Sequence, residues 1–207
     1  MSEEKRRHKT GIMGGTFDPI HVGHLILGES AYEQFGLDEV LFMPSGNPPH
    51  KTDRAGGASN EERVQMVRTA IADNPHFVLS LEEMHELGYI YTSKTLERLT
   101  QAHEDTDYYF IMGADSLFSF DTWHEPQRIC ELCTIVAAVR DHVPYEDLSK
   151  HIEVMKEKYH ADIRLLVTPN IDVSSHQIRE WVREGRSCRY YLHDSTREYI
   201  AERKLYR

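Results

Sequence analysis

The sequence predicts an α/β fold in which helices cover both faces of a doubly wound, mainly parallel sheet. Short apolar segments alternate with helical segments of ten residues or more, an arrangement typical of parallel strands joined by right-handed crossovers. The segment CTIVAAV, residues 133–139, is apolar without alternation, as expected for a strand covered on both faces. With no internal repeat or linker, the chain is predicted to be one domain over residues 1–207, with a flexible N-terminus at 1–8.

The individual elements follow from local signals. Residues 9–13 form a short apolar run before a glycine pair, and residues 22–35 carry apolar side chains at helical spacing, with Gly36 as the C-cap. Ser59 and Glu62 match a capping box ahead of a helix that we expect to end near residue 75, a proline. The other predicted strands are 38–43, 76–81, 107–112, 133–139 and 161–167, and the other predicted helices are 92–103, 126–132, 144–160, 174–184 and 195–204.

The composition limits the classes of partner. The 207 residues carry a formal net charge of −10, which disfavours nucleic acid and anionic membranes because both attract proteins rich in Lys and Arg. A small anionic ligand needs only a local cationic pocket. No apolar run approaches the ~18 residues that span a bilayer, and the charged start MSEEKRRHKT does not resemble a signal peptide. We therefore expect a cytoplasmic protein with no nucleic-acid or membrane partner, and the sequence leaves a homo-oligomer open.

Three cysteines, Cys130, Cys133 and Cys188, are too few and odd in number for a disulfide framework. Cys130 and Cys133 form a C-x-x-C, which in other proteins is a redox pair or half of a zinc site. No second such pair or nearby pair of histidines completes a tetrahedral set, and Cys133 opens an apolar strand. The sequence therefore favours buried structural thiols.

The segment GGTFDPIHVGH, residues 14–24, follows the first predicted strand, a common ligand position in open α/β sheets. Gly14 and Gly15 allow the backbone to approach a ligand closely, and the next helix offers free N–H groups and a partial positive charge. His21 and His24 can lie on one face of the first helical turn, where they could ligate a metal, contact a phosphate or cap the helix. Neither G-x-G-x-x-G nor a G-K-[ST] loop occurs, so these residues alone leave all three roles open.

Further blocks follow in order, and together they resemble a known family. They are MPSGNPPHK (43–51), ERVQM (62–66), YTSKTL (91–96), FIMGADSL (110–117), Trp123 and VSSHQIR (173–179). With GGTFDPIHVGH they resemble the bacterial nicotinate-nucleotide adenylyltransferases, members of the nucleotidyltransferase superfamily with an H-x-G-H motif, over residues 11–200. The resemblance implies a Rossmann-like fold and transfer of AMP from ATP to nicotinate mononucleotide. The products are nicotinate adenine dinucleotide and pyrophosphate, in NAD biosynthesis, with Mg²⁺ bound mainly through the ATP phosphates.

The resemblance also implies roles for individual residues. Trp123 would stack on the pyridine ring, Asp115 would accept hydrogen bonds from ribose, and Asp18 with Pro19 would shape the turn. His176 stands where the family usually has Thr, which leaves one phosphate contact open, and Ile90 stands where Ser is common. The expected catalytic residues are His21, His24, Lys51 and Arg179; those binding ATP and its phosphates are Gly14, Gly15, Thr16, Phe17, Ser174, Ser175 and His176; those binding the mononucleotide are Tyr91, Thr92, Asp115 and Trp123.

Other functions fit parts of the same pattern. A related enzyme could use nicotinamide mononucleotide or phosphopantetheine, a nucleotide sensor could keep the fold without catalysis, and the histidine pair could bind a transition metal. Backbone N–H donors at the helix start near Tyr91 and Thr92 favour a nicotinate carboxylate over an amide, because the amide brings donors of its own. The retained histidine pair, Lys51 and Arg179 favour a catalyst over a sensor.

Overall fold

The computed structural model describes residues 6–46, 56–84, 89–138, 145–169 and 171–207. Strands and helices alternate along these segments, as the sequence predicts. The strands are β1 (His8–Gly15), β2 (Glu39–Pro44), β3 (Phe77–Leu79), β4 (Thr106–Gly113), β5 (Thr134–Ala138) and β6 (Ile163–Leu166). The helices are α1 (Val22–Phe35), α2 (Asn60–Ala70), α3 (Thr92–Ala102), α4 (Ala114–Phe118), α5 (Pro126–Leu132), α6 (Tyr145–Tyr159), α7 (Ser175–Arg183) and α8 (Asp194–Arg203), with a short 3₁₀ helix at Phe120–Thr122.

The six strands form one parallel sheet in the order β3-β2-β1-β4-β5-β6. From β1 the chain builds outward through β2 and β3, then returns to place β4 on the other side of β1. This reversal leaves a crevice beyond the carboxyl ends of β1 and β4, where open α/β sheets bind their ligands. The predicted Rossmann-like, doubly wound class is confirmed.

Both faces of the sheet are covered. Alternate residues of β4 point to opposite sides, because the side-chain period of a strand is two. Tyr109 and Ile111 join a core that includes residues of α1, α2, α7 and α8, whereas Phe110 and Met112 join a core formed with α3, α5 and α6. This double covering explains why the central strands read as continuous apolar runs.

The ends of the helices confirm most of the predicted caps. Gly36 adopts φ +58° and its N–H donates to the Tyr32 carbonyl, as a left-handed C-cap should. Helix α2 begins after Ser59 as predicted, but it ends at Ala70, earlier than the expected end near residue 75. The chain turns instead over residues 71–74, where the Asn74 N–H donates to the Ile71 carbonyl at 3.1 Å, and the Asn74 side chain then accepts from the His76 N–H.

We expect Ser59→Ala to lower the free energy of unfolding by about 1 kcal/mol, a usual cost of losing an N-cap. The Ser59 hydroxyl accepts from the Glu62 N–H at 3.2 Å, and the Glu62 carboxylate accepts from the Ser59 N–H at 2.8 Å. Urea denaturation of both proteins measures the difference. Ser149→Ala, inside α6, is the control and should not destabilise, since Ala is the better helix former; equal stability of Ser59→Ala and the parent would contradict the prediction.

Two short elements were not predicted from the sequence. Helix α4 and the 3₁₀ helix after it contain five and three residues, too few to display a helical period. At the N-terminus, the expected flexible segment 1–8 overlaps the described chain at residues 6–8. There Arg7 donates to the Asp107 carboxylate at 2.6 Å, and His8 opens β1.

The three cysteines are buried thiols, as expected. Burial raises the pKa of Cys130 to about 11 and also raises the pKa of Cys133. Both thiols are therefore poor nucleophiles at neutral pH. Among the described residues, no group of three or more His, Cys, Asp or Glu side chains is arranged to hold a metal ion, and no described helix is long and apolar enough to cross a membrane.

Candidate active site

A cavity of about 510 Å³ opens beyond the carboxyl ends of β1 and β4, and we refer to it as the central cavity. Its wall combines the loop after β1, the start of α1, the start of α4 and the start of α7. Three segments far apart in sequence therefore meet at one crevice. Ten of the predicted site residues line it: Gly14, Gly15, Thr16, Phe17, His24, Asp115, Trp123, Ser175, His176 and Arg179.

The loop after β1 is anchored by Phe17. This residue has φ +50°, and its ring is buried and packs against Phe42 on one side and edge-on against His24 at 5.0 Å on the other. A Cβ at Gly15 would lie 3.1 Å from the Phe17 ring, so the loop is tightest with glycine at that position. The inward Phe17 side chain thus holds the loop backbone close to the cavity.

The two histidines occupy different positions. His24 lines the central cavity, whereas the His21 side chain is only 2% exposed and does not line it. Their rings are in contact, with centroids 3.7 Å apart and 30° between the planes, and the backbone N–H of His21 donates to His24 Nδ1 at 3.2 Å. Because Nδ1 accepts this bond, a neutral His24 carries its proton on Nε2. The structure therefore brings one histidine to the cavity and places the other behind it as a support.

Helix α7 is tied directly to the loop after β1. The Ser175 hydroxyl donates to the Pro19 carbonyl at 2.9 Å, and Arg179 Nη1 donates to the Asp18 carbonyl at 2.7 Å. Ser174 serves as the N-cap of the helix, with its hydroxyl accepting from the Gln177 N–H, and it does not line the cavity. These bonds aim the N-terminus of α7, with its free N–H groups, at the same space as the loop.

His176, at the position where Thr was expected, sits at the rim of the central cavity. Its side chain is 68% exposed, and Nε2 lies 3.3 Å from the Glu180 carboxylate one turn further along α7. The imidazole is therefore directed largely toward solvent.

The Asp18 carboxylate has a role that the sequence did not reveal. It is nearly buried, and its Oδ1 accepts from the Ala58 N–H at 3.0 Å and from the Tyr206 hydroxyl at 2.7 Å. Burial, together with the Asp18 charge, raises the pKa of Tyr206, so the hydroxyl stays protonated and remains a donor. Asp18 thus connects the loop after β1 to the last residues of the chain.

A second cavity of about 240 Å³, the side cavity, lies against α3. Tyr91, the N-cap of α3, and Thr92, its first residue, line this cavity, and so does Ile90. The Tyr91 ring stacks on His124 with centroids 4.2 Å apart and 24° between the planes. Tyr91 and Thr92, which were predicted to bind the mononucleotide, therefore lie together in the side cavity, whereas most residues predicted to bind phosphate line the central cavity.

The two cavities share a wall. Five residues, from the end of β1 and the next position, from β4 and from the segment before α5, line both of them: Gly14, Gly15, Thr16, Phe110 and Trp123. Trp123 packs against Phe110 and Phe120 and marks the junction. Lys51, the remaining predicted catalytic residue, lies outside the described residues.

Comparison with known proteins identifies the family. The family model for cytidylyltransferase-like proteins matches residues 12–181. A protein of Lachnoclostridium phytofermentans named probable nicotinate-nucleotide adenylyltransferase is 46% identical over 96% of this chain and 98% of its own length. A protein of Desulfitobacterium hafniense with the same name is 40% identical over 96% of each chain.

The chain belongs to the nicotinate-nucleotide adenylyltransferase family. A solved structure of the Plasmodium falciparum nicotinic acid mononucleotide adenylyltransferase, complexed with NaAD, has the same fold, with a TM-score of 0.76. It is 19% identical and covers 96% of this chain and 97% of its own. The family predicted from the sequence blocks is confirmed.

In this nicotinate-nucleotide adenylyltransferase family member, two charged residues beside the cavities were missed by sequence reasoning. Glu83 lines the side cavity, accepts from the Thr95 hydroxyl at 3.0 Å, and has a pKa raised by burial. Arg63 is fully buried behind the loop after β1. Glu83 lies in no recognisable motif, and Arg63 lies in the ERVQM block, where its spacing suggests only an amphipathic helix. Their positions depend on contacts with other segments of the chain, Arg63 with Thr16 and Glu83 with Thr95, which local patterns do not encode.

Proposed function

We propose that this nicotinate-nucleotide adenylyltransferase family member transfers AMP from ATP to nicotinate mononucleotide, forming nicotinate adenine dinucleotide and pyrophosphate. The observation that carries the proposal is the shared wall, because the reaction requires two substrates to meet at one phosphorus atom. The central cavity takes the ATP phosphates and the side cavity takes the pyridine ring. We also propose a cytoplasmic enzyme that acts on these small molecules and not on nucleic acid or membrane.

The reaction needs little proton transfer, since the attacking 5′-phosphate of the mononucleotide is already an anion. Catalysis then depends on holding two anions in line and on stabilising the charge that develops as pyrophosphate leaves. His24 is the proposed donor at the leaving phosphates, through Nε2–H, and His21 holds its ring. Arg179 and Ser175 bind the phosphates from α7, where the helix N-terminus adds partial positive charge. Lys51 completes this set in the proposal.

The loop backbone supplies further donors. Gly14, Gly15, Thr16 and Phe17 lie along the wall of the central cavity, and their backbone can approach a phosphate closely. Ser174 contributes by capping α7, and His176 is available at the rim as an additional donor. We assign the loop residues and His176 to ATP binding because they line the same cavity as His24, and Ser174 acts through the helix start that it caps.

The side cavity suits an aromatic ring that carries a carboxylate. Trp123 offers a face for stacking, worth about 1–3 kcal/mol by analogy with stacked bases. The N–H groups of the first turn of α3, at Tyr91 and Thr92, carry partial positive charge that favours an anionic substituent. Asp115, at the start of α4, is placed to accept hydrogen bonds from ribose.

Enzymes of the nucleotidyltransferase family generally use a divalent metal. Among the described residues, two carboxylates line the central cavity: Asp115, and Asp18, whose Oδ1 accepts from the Ala58 N–H and the Tyr206 hydroxyl while Oδ2 lies 3.8 Å from Arg179. This donor set fits Mg²⁺ held mainly by phosphate oxygens and water, which is how Mg²⁺ commonly binds beside nucleotides. When bound, the ion would neutralise part of the charge on the leaving pyrophosphate.

Pyrophosphate release with ATP and either nicotinate or nicotinamide mononucleotide tests both reaction and substrate. We expect kcat/KM for nicotinate mononucleotide to be ~10- to 100-fold higher, since a hydrogen bond to a charged group contributes about 1.5–3 kcal/mol. A preference for the amide would overturn the substrate assignment. No release with either mononucleotide would instead support a nucleotide sensor.

A further inference from the structure

Arg63, on α2, is the largest of the fully buried side chains, with 0% of its surface exposed. Its guanidinium donates to the Thr16 carbonyl at 2.5 Å, to the Ser45 carbonyl at 2.8 Å and to the Asn60 side chain at 2.6 Å. Burying a guanidinium is costly unless its donors are satisfied. Packing alone therefore does not explain why an arginine occupies this buried position behind the loop after β1.

The guanidinium lies where two neighbouring strands separate. The ladder between β1 and β2 ends at the pair Gly15 and Pro44, and the Ser45 N–H still donates to the Gly15 carbonyl at 2.8 Å. One residue beyond the end of each strand, the carbonyls of Thr16 and Ser45 both accept from Arg63. Both residues line the side cavity, and Thr16 also lines the central cavity. Arg63 thus replaces the ladder at the point where the strands open around the two cavities.

The bond to Thr16 also determines the direction of the next N–H. In a trans peptide the carbonyl and the N–H point in opposite directions, so the Thr16 carbonyl held by Arg63 turns the Phe17 N–H away from Arg63. Hydrogen bonding to the carbonyl also polarises the peptide and strengthens its N–H as a donor. Phe17 lies on the wall of the central cavity.

We propose that Arg63 is a positioning residue for adenylyl transfer, which orients the Thr16–Phe17 peptide so that its N–H donates to a substrate phosphate. This inference rests on the proposed function. Arg63 touches no substrate; it acts through the loop, and a planar guanidinium is needed because it bridges two carbonyls at once. A Lys ammonium keeps the charge but does not present the same fixed fork.

Arg63→Lys is the direct test, with kcat and KM measured at a temperature where the variant is folded. We expect kcat to fall ~10- to 100-fold, the loss typical of a reacting group displaced by about 1 Å. Val67→Ala is the matched control, since Val67 is equally buried on α2 and packs in the core. It should lower stability and leave kcat within about 2-fold. A purely structural Arg63 would behave like Val67, and a kcat of Arg63→Lys within 2-fold of the parent would overturn the proposal.

Two further measurements keep the outcome decisive. Should Arg63→Lys fail to fold, Asn60→Ala removes one acceptor of the guanidinium at the first residue of α2. It is expected to lower kcat at least ~3-fold; an unchanged kcat would contradict the proposal.

Calorimetric binding of a non-hydrolysable ATP analogue is independent of turnover. If the parent binds the analogue but does not use nicotinate mononucleotide, the proposed function fails, whereas a parent that turns over and an Arg63 variant with the same kcat overturn only the positioning role.

Discussion

Replacing His24 with Ala is expected to lower kcat by at least ~10², because a preorganised donor at developing negative charge contributes about 3–4 kcal/mol to the transition state. His24 is the histidine of the H-x-G-H motif that lines the central cavity, and its Nδ1 is already occupied by the His21 N–H. The variant should keep its circular dichroism spectrum, since the backbone bond from the His24 N–H to the His21 carbonyl remains. Steady-state pyrophosphate release gives kcat.

His103→Ala is the matched control for this measurement. His103 is exposed and follows α3, and its carbonyl accepts from the Thr106 N–H at the beginning of β4. This is the amino end of the strand, whereas the cavities lie at the carboxyl ends. Its replacement should leave kcat within about 2-fold of the parent. A loss smaller than 3-fold in His24→Ala would rule out a direct contact between His24 and the reacting phosphates.

Replacing Gly46 with Ala should raise KM for the mononucleotide by ~10-fold or more and lower the free energy of unfolding by about 1–3 kcal/mol. A Cβ at this position would overlap the Glu83 carbonyl oxygen, which already accepts from the Gly46 N–H. Backbone cannot rotate away as a side chain can, so Ser45 or Glu83 must shift. Both line the side cavity, and the shift therefore changes the shape of the proposed pyridine pocket.

The control for Gly46→Ala is Gly36→Ala. Gly36 has φ +58°, and a Cβ there would meet nothing within 4 Å, so the cost is only the left-handed backbone, about 1 kcal/mol. Chemical denaturation should show a loss of stability for both variants, while KM for the mononucleotide should change only in Gly46→Ala. If KM for the mononucleotide is unchanged in both variants, the end of β2 does not contribute to substrate binding.

The secondary structure could be predicted from sequence wherever an element is long or carries a terminal signal. The helix over residues 22–35 and its glycine cap agree with α1 and Gly36, since periodicity and the cap are local properties. The short α4 and the early end of α2 were missed because five residues show no period and because the turn at Asn74 depends on backbone and side-chain bonds. The strand order was accessible only through the resemblance, as pairing partners lie far apart in the chain.

The candidate site was predictable where it follows strand ends. The rule that ligands bind beyond the carboxyl ends of parallel strands places Gly15 and Asp115 near each other, and the structure agrees. No local pattern could show that His21 is buried behind His24, or that Asp18 and Tyr206 meet across 188 positions of sequence. Such contacts depend on the packing of α1 and of the C-terminal residues against one loop.

The common wall of the two cavities has a consequence for ligand affinity. Thr16 and Trp123 line both cavities, so one ligand that carries a group for each cavity can fill both at once. Such a ligand loses its translational freedom once, and its second group binds at a high effective concentration set by the short span between the groups. Tethering of this kind commonly adds ~10²- to 10⁴-fold to the affinity of either half. The same geometry that joins two substrates therefore makes the joined product, or any mimic of it, a strong competitor for the empty enzyme.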